Sequence, residues 1–447
     1  MGAYLTVFSE TDYLEPSTGR KAQLLAIYSL LIALRSPWLL IHGRLWAEEG
    51  FIYFVAAWSG NVCLDLLAAH QGYYSLFPNA VSVLTARVFP LPFAALVTTW
   101  CAFLVQIAAG YLVVQCESFA SVKAKILALG VLLLTAPSFE VWLNTTNSQF
   151  YFVVCVAIIF ISRPDRLRLQ RNLVLAIAAL TGPVTTFLVP FFLARAYFAK
   201  IKGAWQQASV LTTCALLQIV VVLRNMHSGA RHVVFQPSGL APEFLVNYIT
   251  MPFLGRAIET VVSALILNQS RHLAAAHVNG ANLISTLLNH HLPLTPPFLA
   301  IWGVLDILFI AVLAWVTEDK SDRSSWWLLT MAVWLAIASM SGSLGGTYSI
   351  AERYAFPSAV LMGFSLLLTA FRATTGKTRR TAAKCLLAIF LLSGSLDYFY
   401  YPRWMAYERP AGPDWYIQAR QWEHDPAQKL SIWPRAIRLI TLPPDHY

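Results

Sequence analysis

Two adjacent carboxylates, Glu48 and Glu49, stand in the stretch Arg44-Leu45-Trp46-Ala47-Glu48-Glu49-Gly50, directly after the first long apolar run at 22–41. In a chain that is mostly compatible with hydrocarbon, acids placed there need a reason. A carboxylate at the edge of an apolar cavity has its pKa raised by desolvation, which suits a general base. Adjacent carboxylates also repel, so one of the two is expected to titrate high. The plainer reading is a solvated pair at the membrane interface. Against it stand Trp46, the glycine at 50, and the apolar run 51–58 that turns back toward the membrane.

The elements that must hold this pair follow from composition. The chain has 447 residues, 57% hydrophobic and only 12% charged, with a mean hydropathy of +0.58. A soluble domain carries roughly 25% charged residues, so the expectation is a polytopic integral membrane protein. The net charge of +10 comes from basic residues that fall mostly between apolar runs, where topology demands them. Nucleic acid is therefore not an expected partner. The cysteines show neither metal-ligand spacing nor a disulfide framework.

Roughly 20 apolar residues cross a bilayer. Runs near 22–41, 93–115, 124–138, 148–162, 205–224, 298–316, 325–341, 355–371 and 384–397 are read as spans. The 172–199 run is broken by Thr181-Gly182-Pro183 and is basic at both ends, so it is read as a hairpin of two short arms turning at Gly182-Pro183. The sum is about eleven spans. Charge bias places the N-terminus and the Arg372–Lys384 cluster in the cytoplasm. Long outer segments are then 43–92, 225–297 and the tail after Asp397, with a short one at Ser138–Asn147. Within the first, Ser75–Pro90 reads as a helix lying at the interface; the 243–267 run is ambiguous between span and interface.

Further candidates lie on the outer segments. His70, Tyr73 and Tyr74 could line a cavity, and Asn144, Asn147 and Gln149 could bind sugar hydroxyls. The bland reading of each is a polar loop residue facing water. His290-His291 lacks a second ligand pair and reads as structural. Arg35 and Asp306 lie inside spans, where each costs roughly 2.5–3.5 kcal/mol on insertion scales, so both should face the interior, pair, or line a polar path.

The box Leu45-Trp46-Ala47-Glu48-Glu49-Gly50, followed by Ala69-His70-Gln71-Gly72-Tyr73, resembles bacterial members of the GT-C superfamily of membrane glycosyltransferases. The stretch 144–151, Thr181-Gly182-Pro183 and Glu352-Arg353-Tyr354 look like later landmarks of those enzymes. The resemblance implies an all-α integral membrane protein, a GT-C-like bundle of about eleven transmembrane helices over 1–397, with 43–92 as catalytic outer loop and 398–447 as an outer-face tail. It implies a polyprenyl-phosphate sugar donor, a glycan or lipid acceptor, and an active site on the outer, periplasmic face of a bacterial inner membrane. It places Glu49, or its neighbour Glu48, in the base role. Arg353, with a planar fork matched to phosphate oxygens, would stabilise the leaving group, with Glu352 and Tyr354 beside it. The plainer role for Arg353 is an interfacial snorkelling arginine. No cofactor is implied with certainty; a divalent metal is compatible with the family chemistry. The rival class is a multi-span transporter or lipid flippase, which Arg35 and Asp306 would suit. Inverted repeats would favour it, and the outer loops are unequal and unmatched between halves.

Overall fold

The first helix opens on a cap, the Ser17 hydroxyl accepting from the Arg20 amide at 3.4 Å, and runs as α1, Thr18–Arg35. It breaks at Ser36 because Pro37 follows, and a residue before proline is pushed out of the helical region. The chain resumes as α2, Pro37–His42. In this computed structural model the described residues are 16–225, 241, 243–259, 261–262, 296–318, 323–343, 352–372, 374–399, 414–433 and 439–444. The expected outer segment 225–297 therefore lies mostly outside them, as do His290-His291 and parts of the tail.

Gly43 ends α2 with φ +68°, and a Cβ there would overlap the backbone of Ala95 and Leu96. Glycine lets the turn close against the next long helix. Gly43→Ala combines a left-handed penalty of about 1–2 kcal/mol with overpacking of similar size. A clear drop in the detergent melting temperature is the expected result, and an unchanged melt would refute this close approach.

Short helices then cross the first loop: a π-helical turn Glu49–Phe54, α3 Val55–Ser59, α4 Val62–Leu67 and α5 Leu76–Arg87. The last was expected at 75–90, and it ends just before Pro90. The long helix α6, Ala94–Gln115, follows. Then come α7 Val122–Leu134, α8 Ser148–Ile161, α9 Arg168–Leu180, α10 Val189–Ala199 and α11 Lys202–Asn225. After the π-helical turn Leu245–Thr250 the chain continues through α12 Pro296–Thr317, α13 Ser324–Ser343, α14 Ala355–Phe371 and α15 Lys377–Phe399. The tail forms α16, Trp415–His424, and a two-residue antiparallel pair, β1 Leu430–Ser431 with β2 Leu439–Ile440.

The chain is mostly helical. Among the described residues, four helices are long and apolar enough to cross a membrane: Leu91–Gln115, Lys202–Asn225, Glu352–Phe371 and Lys377–Phe399. Others are apolar but shorter, among them Ser148–Ile161 and Ser324–Met340. Two helices form the centre. Every residue of α8 is buried, and so is α14 from Ala355 to Ala370. Helices apolar on all sides belong inside a bundle, and these two meet where the Tyr151 and Phe356 rings pack at 4.8 Å. One boundary differs from expectation: Lys377, Arg379, Arg380 and Lys384 form the opening turns of α15 instead of a connecting loop.

The hairpin is present. Gly182 turns with φ +87°, and a Cβ there would collide with Gln149 Oε1. Its arms, α9 and α10, have 13 and 11 residues; at 1.5 Å per residue neither reaches ~30 Å. Protein covers the tip. The Gly182 amide donates to the Tyr74 carbonyl at 3.0 Å, and the Phe77 amide to Thr181 Oγ1 at 3.3 Å. Gln218 Nε2 of α11 donates to that same Tyr74 carbonyl at 3.0 Å. The non-helical backbone is thus satisfied by the first loop.

The tail also packs on the first loop. Trp433 pairs with Trp46 as an isolated parallel bridge, its amide donating to the Leu45 carbonyl at 2.9 Å. Trp415 Nε1 donates to the Leu91 carbonyl at 2.9 Å, and the Trp58 and Trp422 rings meet edge-on at 5.8 Å. A small apolar core, including Phe54, Trp58, Trp415 and Ile432, joins the two segments.

Candidate active site

The two adjacent acids have different surroundings. Glu49 is 1% exposed. Its Oε2 accepts from the Trp46 amide at 2.7 Å, while the Glu49 amide donates to the Trp46 carbonyl at 2.7 Å. This is the reach-back of a capping box, with the glutamate three residues into the turn. Its Oε1 accepts from Thr145 Oγ1 at 2.6 Å and also from the Thr145 amide. Glu49 thereby ties the first loop to the connection between α7 and α8. Burial raises its pKa, opposed by the Thr145 and Trp46 hydrogen bonds and by the charge of Arg44. Arg44 is itself buried, donating to the Trp142 carbonyl at 2.8 Å and lying over the Trp46 ring at 4.6 Å.

Glu48 is half-exposed, and its charge acts on the guanidinium of Arg353. Arg353 sits in the short turn Glu352–Tyr354 that leads into α14. It pairs with Glu140 of the α7–α8 connection, Nη1 to Oε2 at 3.1 Å. Burial raises the pKa of Glu140, Arg353 lowers it, and Glu352 raises it again. Glu352 turns the other way, to Arg256, with both of its oxygens 2.6 Å from guanidinium nitrogens. Arg256 Nε reaches Asp397 of α15 at 2.9 Å. Asp397 in turn feels the charge of Arg35. Arg35 donates to Ser138 Oγ at 2.8 Å and lies over the Trp142 ring at 4.3 Å.

The first loop, the α7–α8 connection, the turn before α14 and the end of α15 thus meet at one end of the bundle. There they bring acids and arginines into a single network. Arg35 has the interior partners expected of a charge inside an apolar run. Asp306 is buried, and its Oδ1 has no hydrogen bond among the described residues.

Several of the residues expected to contact sugar make hydrogen bonds or ring contacts within the fold. The side-chain amides of Asn144 and Asn147 both donate to the Glu140 carbonyl, at 2.6 and 2.8 Å, and Asn144 Oδ1 accepts from the Asn147 amide at 2.8 Å. They are 1% and 3% exposed and shape the connection that carries Glu140. Gln149 is buried against the hairpin turn, its Nε2 3.4 Å from the Thr146 carbonyl. His70 meets Tyr53 edge-on at 5.0 Å, and burial lowers its pKa against the opposing charge of Asp65. Tyr73 donates to Gln71 Oε1 at 2.9 Å. Tyr354 packs edge-on to Phe150 at 5.4 Å.

Arg256, Asp397, Arg44 and Thr145 join the site without having been singled out for it. A signal existed for two of them. Arg256 and Asp397 are charges in or at the end of apolar runs, where an ionised group needs a partner. Nothing local marks Thr145, whose role depends on a loop about a hundred residues away. Among the described residues no group of three or more His, Cys, Asp or Glu could hold a metal ion. The chain matches no protein-family model and no curated protein.

Proposed function

We propose that the chain is a GT-C-like glycosyltransferase of about eleven spans that transfers a sugar from a polyprenyl-phosphate donor to a glycan or lipid acceptor on the outer face of a bacterial inner membrane. The observation that carries this reading is the half-buried carboxylate of Glu48, whose charge acts on the guanidinium of Arg353, at the end of an otherwise apolar bundle. Sugar transfer from a lipid phosphate requires a base for the acceptor hydroxyl and a cation for the departing phosphate. The first role falls to Glu48, since both oxygens of Glu49 are committed to backbone and Thr145. Glu49 becomes the residue that positions the loop. Arg353 supplies the cation, and the tail bonds to the backbone at Leu45 and Ala47, next to Glu48. The deciding experiment is glycan analysis of a strain lacking the gene: wild-type protein should restore the missing sugar and Glu48→Gln should not. Normal glycans in the deletion strain would refute the reading.

Asp306 is the observation that favours a transporter, as a buried acid in an apolar helix whose Oδ1 has no hydrogen bond among the described residues. Transport would be demonstrated by flux in proteoliposomes that survives Glu48→Gln.

Orientation has its own test, because Cys63 is exposed in the first loop and Cys385 is exposed on α15. A membrane-impermeant maleimide applied to spheroplasts should label Cys63 and spare Cys385. In a Cys63→Ser background, Lys429→Cys should be labelled as well. Labelling of Cys385 with Cys63 untouched would invert the proposed topology.

A further inference from the structure

The network described above holds more acid than base. Among the described residues it contains Glu48, Glu49, Glu140, Glu352 and Asp397 against Arg35, Arg44, Arg256 and Arg353. An incoming anion would therefore be repelled unless one carboxylate gave up its place. The two ion pairs of the 352–354 turn are not equally closed. Arg256 is held by both oxygens of Glu352 at 2.6 Å and by Asp397 at 2.9 Å. Arg353 has one guanidinium contact to Glu140, at 3.1 Å, and the two side chains keep 27% and 20% of their surface exposed. A carboxylate thus caps a guanidinium that stays partly exposed, the kind of donor that suits a phosphate oxygen.

We infer that Glu140 is an internal stand-in for the substrate's phosphate: it holds the Arg353 site closed, and a phosphate monoester or diester binds by displacing it. This rests on the reading of Arg353 given above and adds a specificity-determining residue to it. The exchange swaps one anion for another at Arg353, so that guanidinium never lies unpaired in an apolar setting. It also excludes weaker anions, because only a group that outcompetes the tethered carboxylate gains entry. Glu140 suits the task because its backbone is anchored separately, through Asn144 and Asn147 to its carbonyl. The side chain can leave without unfolding the connection.

The test uses the full-length protein in detergent with radiolabelled long-chain polyprenyl phosphate, carrying no sugar. Polyprenol of the same length and inorganic phosphate serve as separate arms. Glu140→Gln should bind polyprenyl phosphate about fivefold more tightly, the release of one partly exposed charge pair. Glu140→Asp should stay near wild type, and Arg353→Gln should lose most binding. A gain in affinity is not what structural damage produces. If inorganic phosphate shows the same gain, the headgroup alone is recognised; if only the lipid does, the tail is required as well, and either result supports displacement. Glu140→Gln binding no tighter than wild type, while Arg353→Gln fails to bind, would overturn the stand-in role and leave the phosphate role of Arg353 intact. Equal binding by all variants would overturn both. An equal gain for uncharged polyprenol would also overturn it, as an effect on the lipid tail.

Discussion

Glu48→Gln should express, insert and melt like wild type while losing about a hundredfold or more in transfer. A general base contributes typically 10²–10⁴-fold, whereas an isosteric change at a half-exposed position stays within about 0.5 kcal/mol of stability. The two scales do not overlap, so one kinetic assay with one melting curve decides the matter. The structure explains why the burden falls here. Glu48 projects from a turn fixed on one side by Glu49 and on the other by the tail, through the pairing of Trp46 with Trp433. Its own side chain remains half-buried, and its charge acts on Arg353. Near-normal transfer by Glu48→Gln would remove it from the chemistry altogether.

Glu49→Gln should fail differently. Glutamine keeps one acceptor oxygen, which can serve Thr145 or Trp46 but not both. One buried N–H is then left facing an amide NH₂, at a cost of about 1–3 kcal/mol. The expected result is a lower melting temperature in detergent together with a partial loss of transfer that recovers on cooling. The pH dependence carries a sign. Burial raises the folded pKa of Glu49 above its unfolded value, near 4.3, so folding favours the protonated form. The associated stability is fully present below the unfolded pKa and is lost as pH rises through the folded one. The gap in melting temperature between wild type and Glu49→Gln should therefore be widest at acid pH and narrow toward neutrality. A gap that widens with rising pH would mean that the hydrogen bonds from Thr145 and Trp46 outweigh desolvation.

These two expectations divide a pair that adjacency in the sequence makes look alike. In a turn entering a helix, neighbouring side chains leave the backbone in different directions. One of them meets Trp46 and Thr145, while the charge of the other acts on Arg353. The spacing of residues 48 and 49 contains no information about which is which, because Thr145 and Arg353 reach the site only through the packing of α7, α8 and α14.

Hydropathy and charge by themselves determined where the apolar helices lie, because apolar run length and flanking basic residues are local properties. α6, α11 and α14 fall where the apolar runs at 93–115, 205–224 and 355–371 put them. The Gly182-Pro183 turn was legible for the same reason, since proline and glycine act on their own backbone. The charges of Arg35, Asp306, Arg256 and Asp397 could be seen to need partners. Their partners could not be named, because an ion pair between helices depends on which faces meet. Tertiary structure alone decided that Arg256 joins Glu352 to Asp397, that Asn144 and Asn147 support the Glu140 turn, and that the tail closes over the acid-bearing loop. Each is a contact between residues far apart in the chain, set by helix packing that no single run encodes.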